Sequence, residues 1–182
     1  KRVIQADSFP IGIDYEKFAK APKKRRVKKN LRSFHLYSEE VKVILAVDRA
    51  DYSKGIPARL DAYELFLEKY PEYKTKVKLV VLAVPSRSDV QEYQELRNTI
   101  EQKVSRINGE HSTVDWSPIV YRYQSLPFDE LSALYAMADV MLVTPLRDGM
   151  NLVAKEYVAN HHKTDGVLVL SEMAGAASEL PE

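Results

Sequence analysis

Short apolar runs alternate along the chain with segments whose apolar residues recur at helical spacing, and this alternation most limits the fold. Residues 41–47 and 77–84 are runs rich in Val, Leu and Ala, as expected of strands buried on both faces of a parallel sheet. Between them, the apolar residues of 56–70 recur at spacings of four and three, which predicts one face of a helix ending before Pro71.

The same pattern continues to the end of the sequence. The elements predicted after the second strand are a helix over 90–107, a strand over 118–123, a helix over 128–137, a strand over 140–144, a helix over 152–161, a strand over 166–170 and the start of a helix at 175–180. Ser88 or Asp89 is expected to cap the first of these helices, and Asn108-Gly109 to end it. The predicted fold class is therefore α/β, a Rossmann-like parallel sheet with helices on both faces.

Composition excludes several classes of protein. A chain of 182 residues with 45% apolar and 29% charged residues suggests one globular domain. The absence of cysteine excludes a disulfide scaffold, a thiol nucleophile and a cysteine zinc site, and it fits a reducing, cytoplasmic location. No stretch approaches the ~20 apolar residues of a membrane span. The four histidines have no metal-ligand spacing on a helix face, so we expect surface residues.

Residues 1–40 do not follow the alternation. Nine Lys/Arg and no Asp/Glu lie between Lys17 and Arg32, a run that fits either a nucleic-acid patch or a solvated, helical or frayed connection. No aromatic residue interleaves the charges as stacking on bases requires, which favours the connection. We therefore expect 1–40 to be the end of an upstream domain with a basic linker, and 41–182 to be the α/β domain. The sequence has no initiator Met, which suggests an excised piece of a longer protein.

The loop after the first predicted strand carries two cations. Arg49 and Lys54, followed by Gly55, lie where a strand passes into a helix. A diphosphate needs fixed positive charge and backbone N–H donors, and this loop offers both. The alternative is an exposed loop with ion pairs among Asp48, Arg49, Asp51 and Lys54. After the second strand, Arg87 is a candidate for a second anionic group or a solvated residue beside a helix cap.

The loop after the fourth strand contains the most informative stretch. Gly149 allows a ligand to approach the backbone closely, and the N–H groups of 149–153 would point out of a helix N-terminus towards hydroxyls or phosphate. Glu156, one turn into that helix, fits a ribose diol. The alternatives are that Asp148 or Asn151 caps the helix and that Glu156 is an exposed helix residue.

Taken together, these motifs resemble the trehalose-6-phosphate synthase family. The segments that carry the resemblance are 47–55, Val84-Pro85-Ser86-Arg87, Arg106-Ile107-Asn108-Gly109, Leu126-Pro127-Phe128, 144–157, 170–172 and Gly175-Ala176-Ala177, with Phe9-Pro10-Ile11-Gly12-Ile13-Asp14 near the start. The run 144–157 is the most specific of them. The resemblance implies the C-terminal, donor-binding half of a GT-B glycosyltransferase, truncated at its C-terminus, that transfers glucose from UDP-glucose to glucose 6-phosphate with retention and without a metal or cofactor.

The resemblance also implies roles for residues of this sequence. The implied catalytic residues are Arg49, Lys54 and Asp148, and Arg87 is implied to bind the acceptor phosphate. The implied donor-binding residues are Arg49, Lys54, Phe128, Asp148, Gly149, Met150, Asn151, Leu152, Val153 and Glu156. Within this set, Arg49 and Lys54 would hold the diphosphate, Glu156 the ribose, and the loop at Phe128 the uracil.

The expected partners follow from the same resemblance. They are UDP-glucose, glucose 6-phosphate and the N-terminal GT-B domain of the same chain, without nucleic acid or membrane, and a homo-oligomer of the full-length protein is compatible with the sequence. A piece without the N-terminal domain is expected to bind donor weakly and not to turn over. Two alternatives stay open: a related synthase with another phosphorylated acceptor, such as glucosylglycerol-phosphate synthase, and a non-catalytic regulatory homologue that binds a sugar phosphate or nucleotide sugar.

Overall fold

Strands and helices alternate as the sequence predicts. The computed structural model describes residues 3–5, 7, 11–34, 40–87, 89–161 and 165–180. Its strands are β1 (Lys42–Arg49), β2 (Val77–Val84), β3 (Ile119–Tyr123), β4 (Val140–Val143) and β5 (Val167–Leu170). Its α-helices are α1 (Tyr15–Lys20), α2 (Arg25–Ser33), α3 (Ile56–Lys69), α4 (Gln91–His111), α5 (Phe128–Met137) and α6 (Leu152–Asn160). No helix in these ranges is long and apolar enough to cross a membrane.

The five strands form one parallel sheet in the order β3-β2-β1-β4-β5. β2 and β3 lie on one side of β1, and β4 and β5 lie on the other. The direction in which successive strands are added therefore reverses between β1 and β4. This is the topological switch point where ligands of open α/β sheets bind, at the carboxyl ends of the strands. The predicted fold class is confirmed.

Helices cover both faces of the sheet. α3 and α4 bury Leu60, Ile100 and Ile107 against β2 and β3. Tyr135 of α5 and Tyr157 of α6 are buried against the opposite face. Burial of apolar side chains on both sides explains why the strands are near-continuous apolar runs.

The predicted boundaries of α4 are wrong at both ends. The helix continues through Gly109 to His111, and it begins after Val90 without a side-chain cap. Asp89 does not cap it, and Ser88 lies outside the described residues. The Asn108 amide explains the longer end, because its Nδ2 donates to Ile119 O and its Oδ1 accepts from Ile119 N, at 2.9 and 3.0 Å. This anchor to β3 holds the last turn despite the cost of about 1 kcal/mol for a glycine in a helix.

The basic segment is helical. α1 packs on α6 and α2 packs on α5, with Phe18 and Val27 buried. The Lys and Arg residues of the segment are exposed, and Lys17 and Lys24 lie over the Phe128 ring. The helical structure expected of this segment is observed, and its interpretation as a connection stays a prediction. The predicted division at residue 40 stays a prediction, and Phe9-Pro10 lies outside the described residues.

Candidate functional site

The loops that follow β1 and β4 pack against each other at the switch point. The backbone N–H groups of Leu146 and Arg147 donate to Ser53 O at 2.8 and 3.2 Å. Gly55 has φ +64°, and a Cβ there would lie 3.1 Å from the Leu146 side chain and 3.3 Å from Thr144 O. Glycine is needed because it adopts positive φ and leaves room for the neighbouring loop. The two loops singled out in the sequence therefore form one site.

Lys54 and Asp148 contact each other in this site. Lys54 Nζ lies 2.5 Å from Asp148 Oδ2, and the two side chains are 10% and 16% exposed. Asp148 also accepts from Asn151 Nδ2 at 3.0 Å and from the Met150 N–H at 3.3 Å. The structure thus joins two predicted site residues, and Lys54 pairs with Asp148 rather than within its own loop.

These contacts control the ionisation of Asp148. Burial alone would raise the pKa of Asp148, but the hydrogen bonds from Lys54, Met150 and Asn151 and the charge of Lys54 outweigh it, so the pKa is lowered. The carboxylate is therefore ionised throughout the neutral range and can accept hydrogen bonds from a bound ligand.

The lowered pKa predicts how stability depends on pH. A carboxyl group with a lower pKa in the folded state stabilises the fold above its unfolded pKa, about 3.9, and loses this contribution as pH falls through the folded pKa. Asp148→Asn cannot ionise. We expect the free energy of unfolding of the wild type, relative to Asp148→Asn, to be largest near neutral pH and to shrink below about pH 4 in denaturant titrations. A difference that stays constant down to about pH 3 would contradict the assignment.

Arg59 is a functional residue that the sequence analysis missed. It is 4% exposed, and its guanidinium donates to Asp48 Oδ2 at 2.6 Å, to Thr144 Oγ1 at 2.9 Å and to Lys54 O at 3.2 Å. One buried side chain thus ties the end of β1, the Lys54 loop and the end of β4. The signal was an arginine on the apolar face of α3, three residues after Ile56.

Burial of the Arg59–Asp48 ion pair carries a cost in desolvation free energy. Burial raises the pKa of Asp48, and the charge and hydrogen bond of Arg59 act in the opposite direction. Two charges taken out of water are compensated only by good geometry and further hydrogen bonds. Arg59 has these further bonds, to Thr144 and Lys54, so we assign it a positioning role for the Lys54 loop.

Asn151 caps α6, as one of the two alternatives predicted. Its side chain accepts from the Ala154 N–H at 3.0 Å, and its φ is 76°. Asp148 is not the cap. The next N–H groups, of Leu152 and Val153, have no partner within the helix because they belong to its first turn. These two N–H groups can therefore meet hydroxyl or phosphate oxygens, whereas the Met150 N–H of the predicted set donates to Asp148 Oδ1.

The glycine that this loop needs is Gly175 rather than Gly149. A Cβ on Gly149 would have nothing within 4 Å, whereas a Cβ on Gly175 would lie 2.2 Å from Gly149 O. The Gly175 N–H also donates to Asp148 O at 2.8 Å. The close contact observed here is between two segments of the chain, and the approach of a ligand to Gly149 stays a prediction. An open depression of about 510 Å³ lies beside Asp148 and Gly149.

Glu156 lies on the first turns of α6, as predicted, and has a partner that the sequence did not reveal. Tyr135 Oη donates to Glu156 Oε2 at 2.8 Å. Burial, followed by the charge of Glu156, raises the pKa of Tyr135 well above its usual value, so the phenol stays a donor. Tyr135 therefore orients the Glu156 carboxylate, and the interpretation of Glu156 as a plain exposed helix residue is wrong, since the residue is half-buried.

Arg49 and Arg87 lie at the same edge of the sheet, at the ends of β1 and β2, and both are exposed. Arg87 Nη1 donates to Tyr93 Oη at 3.2 Å, and Tyr93 Oη donates to Asp51 Oδ2 at 3.3 Å. Burial opposes ionisation of Asp51, but hydrogen bonds from Ser53 and Tyr93 and the charge of Arg49 lower its pKa. Asp51 thus links the two arginines electrostatically, next to the Lys54 loop.

Phe128 and the histidines differ from the rest of the predicted set. The Phe128 ring packs edge-on against Phe18 at 5.3 Å, with Lys17 Nζ 4.6 Å from its centre, so its predicted contact with a uracil stays untested. The expectation that all histidines are surface residues is wrong for His161, which is 9% exposed and lies against the Tyr157 ring at 4.2 Å. It is also wrong for His111, whose side chain is 9% exposed. His35 and His162 lie outside the described residues.

The comparison with known sequences gives a family match. The profile of Glycosyltransferase family 20 matches residues 1–182. An Aspergillus fumigatus relative described as "Alpha,alpha-trehalose-phosphate synthase [UDP-forming] 1" is 51% identical over 179 residues, which cover 98% of this chain and 35% of the relative. The chain thus spans about a third of the length of such relatives.

Solved structures agree with the sequence comparison. An E. coli protein bound with UDP-2-fluoro glucose is 45% identical, with a TM-score of 0.81 over 93% of this chain and 38% of that one. A Burkholderia xenovorans α,α-trehalose-phosphate synthase (UDP-forming) in complex with glucose-6-phosphate is 40% identical, with a TM-score of 0.84 over 94% and 38%. The similarity to these two structures therefore extends over more than nine tenths of this chain, in fold and in sequence.

Proposed function

The chain belongs to glycosyltransferase family 20, and on that premise we propose that it is the donor-binding part of a retaining glucosyltransferase. The reaction would transfer glucose from UDP-glucose to glucose 6-phosphate and release trehalose 6-phosphate and UDP. The observation that carries the proposal is the contact of Lys54 with Asp148 at the switch point. It supports the proposal because a nucleotide sugar offers a diphosphate to the cation and sugar hydroxyls to the carboxylate. Names of relatives and ligands of solved neighbours support the same substrate class.

In this proposal, the two cations of the β1 loop bind the donor diphosphate. Breaking the bond between glucose and UDP places negative charge on the leaving phosphate. Fixed positive groups beside that oxygen stabilise the transition state more than the ground state. Lys54 is held by Asp148 and Arg59, so its ammonium needs little reorganisation. Lys54 and Arg49 would supply the charge that a metal ion provides in other transferases.

The other end of the site would hold the sugar and ribose. Asp148 and the N–H groups of the first turn of α6 would bind the glucosyl hydroxyls. Glu156, oriented by Tyr135, would accept from both ribose hydroxyls, since an ionised carboxylate takes several hydrogen bonds. Retention follows if the acceptor hydroxyl attacks from the side of the leaving phosphate and gives its proton to it. This route needs no pair of carboxylates placed as in a glycosidase.

The acceptor side is the least complete part of the site. Arg87 is our candidate for the phosphate of glucose 6-phosphate, because it is exposed at the same edge and bonded to Tyr93. About two thirds of the relative's sequence lies outside the matched part, and we propose that a second domain encoded there supplies the remaining acceptor contacts. We also propose a cytoplasmic location, where both substrates occur as metabolites.

A chimera tests the proposal directly. In it, this chain replaces the matching 179 residues of the A. fumigatus relative. We expect the chimera to form trehalose 6-phosphate and UDP from UDP-glucose and glucose 6-phosphate, detected by mass spectrometry and a coupled UDP assay. UDP should also raise its unfolding temperature, and the increase should grow with the logarithm of the UDP concentration above the Kd.

The matched control separates the site from general stability. Arg49→Ala with Lys54→Ala should abolish both product and UDP stabilisation, whereas Arg97→Ala, an exposed arginine paired with Glu101, should leave both intact. A folded chimera that binds UDP and makes no product would favour the regulatory homologue. A chimera that binds no uridine ligand would overturn the proposal.

A further inference from the structure

A cluster of ionisable side chains lies at the opposite edge of the sheet, where α3 and α4 end. Glu64 and Glu68 are one helical turn apart near the end of α3, and His111 is the last residue of α4. The ligand atoms of these three side chains all lie within 4.8 Å of one another. Helices that begin at the carboxyl edge of the sheet end at its amino edge, so this cluster is separate from the site at Lys54 and Asp148.

His111 supplies the observation that points to a ligand. Its side chain is 9% exposed, and its Nε2 has no hydrogen-bond partner among the described residues. The nearest carboxylate oxygen, Glu64 Oε1, lies 4.0 Å from Nε2, which is too far for a hydrogen bond. At 4.0 Å the two side chains form an ion pair only when the imidazole is protonated. The neutral imidazole leaves this buried nitrogen with neither hydration nor a hydrogen bond. The atom faces the carboxylates, so an occupant between them would satisfy it.

The spacing and the atom types fit a divalent transition metal. Zn–N and Zn–O bonds of about 2.0–2.2 Å place two ligands of a tetrahedral ion about 3.3 Å apart. The ligand atoms are farther apart here, with 4.0 Å between His111 Nε2 and Glu64 Oε1 and all three within 4.8 Å, so binding requires side-chain rotations that bring them together. One imidazole with two carboxylates suits zinc, while calcium and magnesium prefer oxygen ligands alone.

The charges nearby also favour a cation. Arg106 contacts both oxygens of Glu64, at 2.5 and 2.6 Å, and also Glu110 at 3.3 Å. One guanidinium therefore stands against the three carboxylates of Glu64, Glu68 and Glu110. Glu68 is exposed and has no ion pair among the described residues. Each carboxylate oxygen has two acceptor sites, so Glu64 can bind a metal while it keeps a bond to Arg106.

We propose that Glu64, Glu68 and His111 bind one divalent transition-metal ion, best matched by Zn²⁺, with water as the fourth ligand. The ion links the ends of α3 and α4 and satisfies the buried Nε2 of His111. Because it binds the folded state, it stabilises the layer of helices that supports β1 and β2. It has no part in the glucosyl transfer proposed above.

Metal titration tests the proposal. The full chain, freed of metal with a chelator, is titrated with Zn²⁺ by calorimetry and with Co²⁺ by visible absorption. We expect one equivalent of each, cobalt bands of a four-coordinate site, and a higher unfolding temperature with zinc. His111→Gln and Glu68→Gln should each weaken zinc binding by at least about tenfold, since even outer-shell partners of a metal are worth about 10–100-fold.

Two variants serve as matched controls. Glu72→Gln changes an exposed carboxylate just beyond α3, and His35→Gln removes another histidine, so neither should change zinc affinity. Glu68 is exposed, so Glu68→Gln keeps the test valid even where a change at the buried His111 affects folding. The proposal would be overturned if the wild-type chain bound no stoichiometric zinc. It would also be overturned if Glu68→Gln and His111→Gln both bound zinc as tightly as the wild type.

Discussion

Lys54→Met in the chimera is expected to lower kcat about 10²–10³-fold, the range measured when one preorganised donor to developing negative charge is removed. The ammonium lies beside Asp148 at the end of β1, where the proposed diphosphate leaves. Methionine keeps the buried stem and removes only the charge, so packing around the 10% exposed side chain is largely retained. KM for UDP-glucose should rise as well, because the donor carries its negative charge in the ground state too.

Initial rates at varied UDP-glucose separate these two effects. Lys42→Met is the matched control, since Lys42 pairs with Asp139 at the opposite end of β1 and its side chain is 66% exposed. Its kcat and KM should stay near the wild-type values. A Lys54→Met chimera with near-normal kcat and raised KM would show that Lys54 serves ground-state binding alone, and a change in neither would remove Lys54 from the site.

Arg59→Met is expected to destabilise the chain by about 3–5 kcal/mol, because it leaves the Asp48 carboxylate buried without its partner. Asp48 and Arg59 side chains are 3% and 1% exposed, so water cannot take the place of the guanidinium. Urea unfolding followed by circular dichroism measures the change. In the chimera, the same variant should also weaken UDP binding, since Lys54 O loses its donor.

Two further variants separate charge from packing. Arg97→Met breaks an exposed pair with Glu101 within one helix and should cost at most about 0.5 kcal/mol. Asp48→Asn combined with Arg59→Met removes both buried charges and should be less destabilised than Arg59→Met alone. Equal losses in the single and double variants would show that Arg59 acts through packing rather than through its charge.

The sequence was most informative where local pattern and chemistry coincide. The alternation of apolar runs with helical spacing predicted each strand of the sheet, because a buried parallel strand requires apolar residues on both faces. Loops after strands were then the place to look for ligands, and this led to Arg49, Lys54, Arg87, Asp148 and Glu156. Element ends were less accurate, as at α4, where the Asn108 amide bonds to Ile119 and extends the helix.

What only the tertiary structure decided is which of these residues touch. Lys54 and Asp148 are 94 positions apart, and Arg59 and Thr144 are 85 apart, so no local pattern records either contact. The same holds for the Gly175 backbone against Gly149, and for the His111 nitrogen beside the carboxylates of α3, which has no hydrogen-bond partner in the part of the chain that the structure describes. The sequence alone thus determined which candidate binding residues follow the ends of the strands. Their distances, burial and ionisation depend on how the crossing helices bring separate loops together.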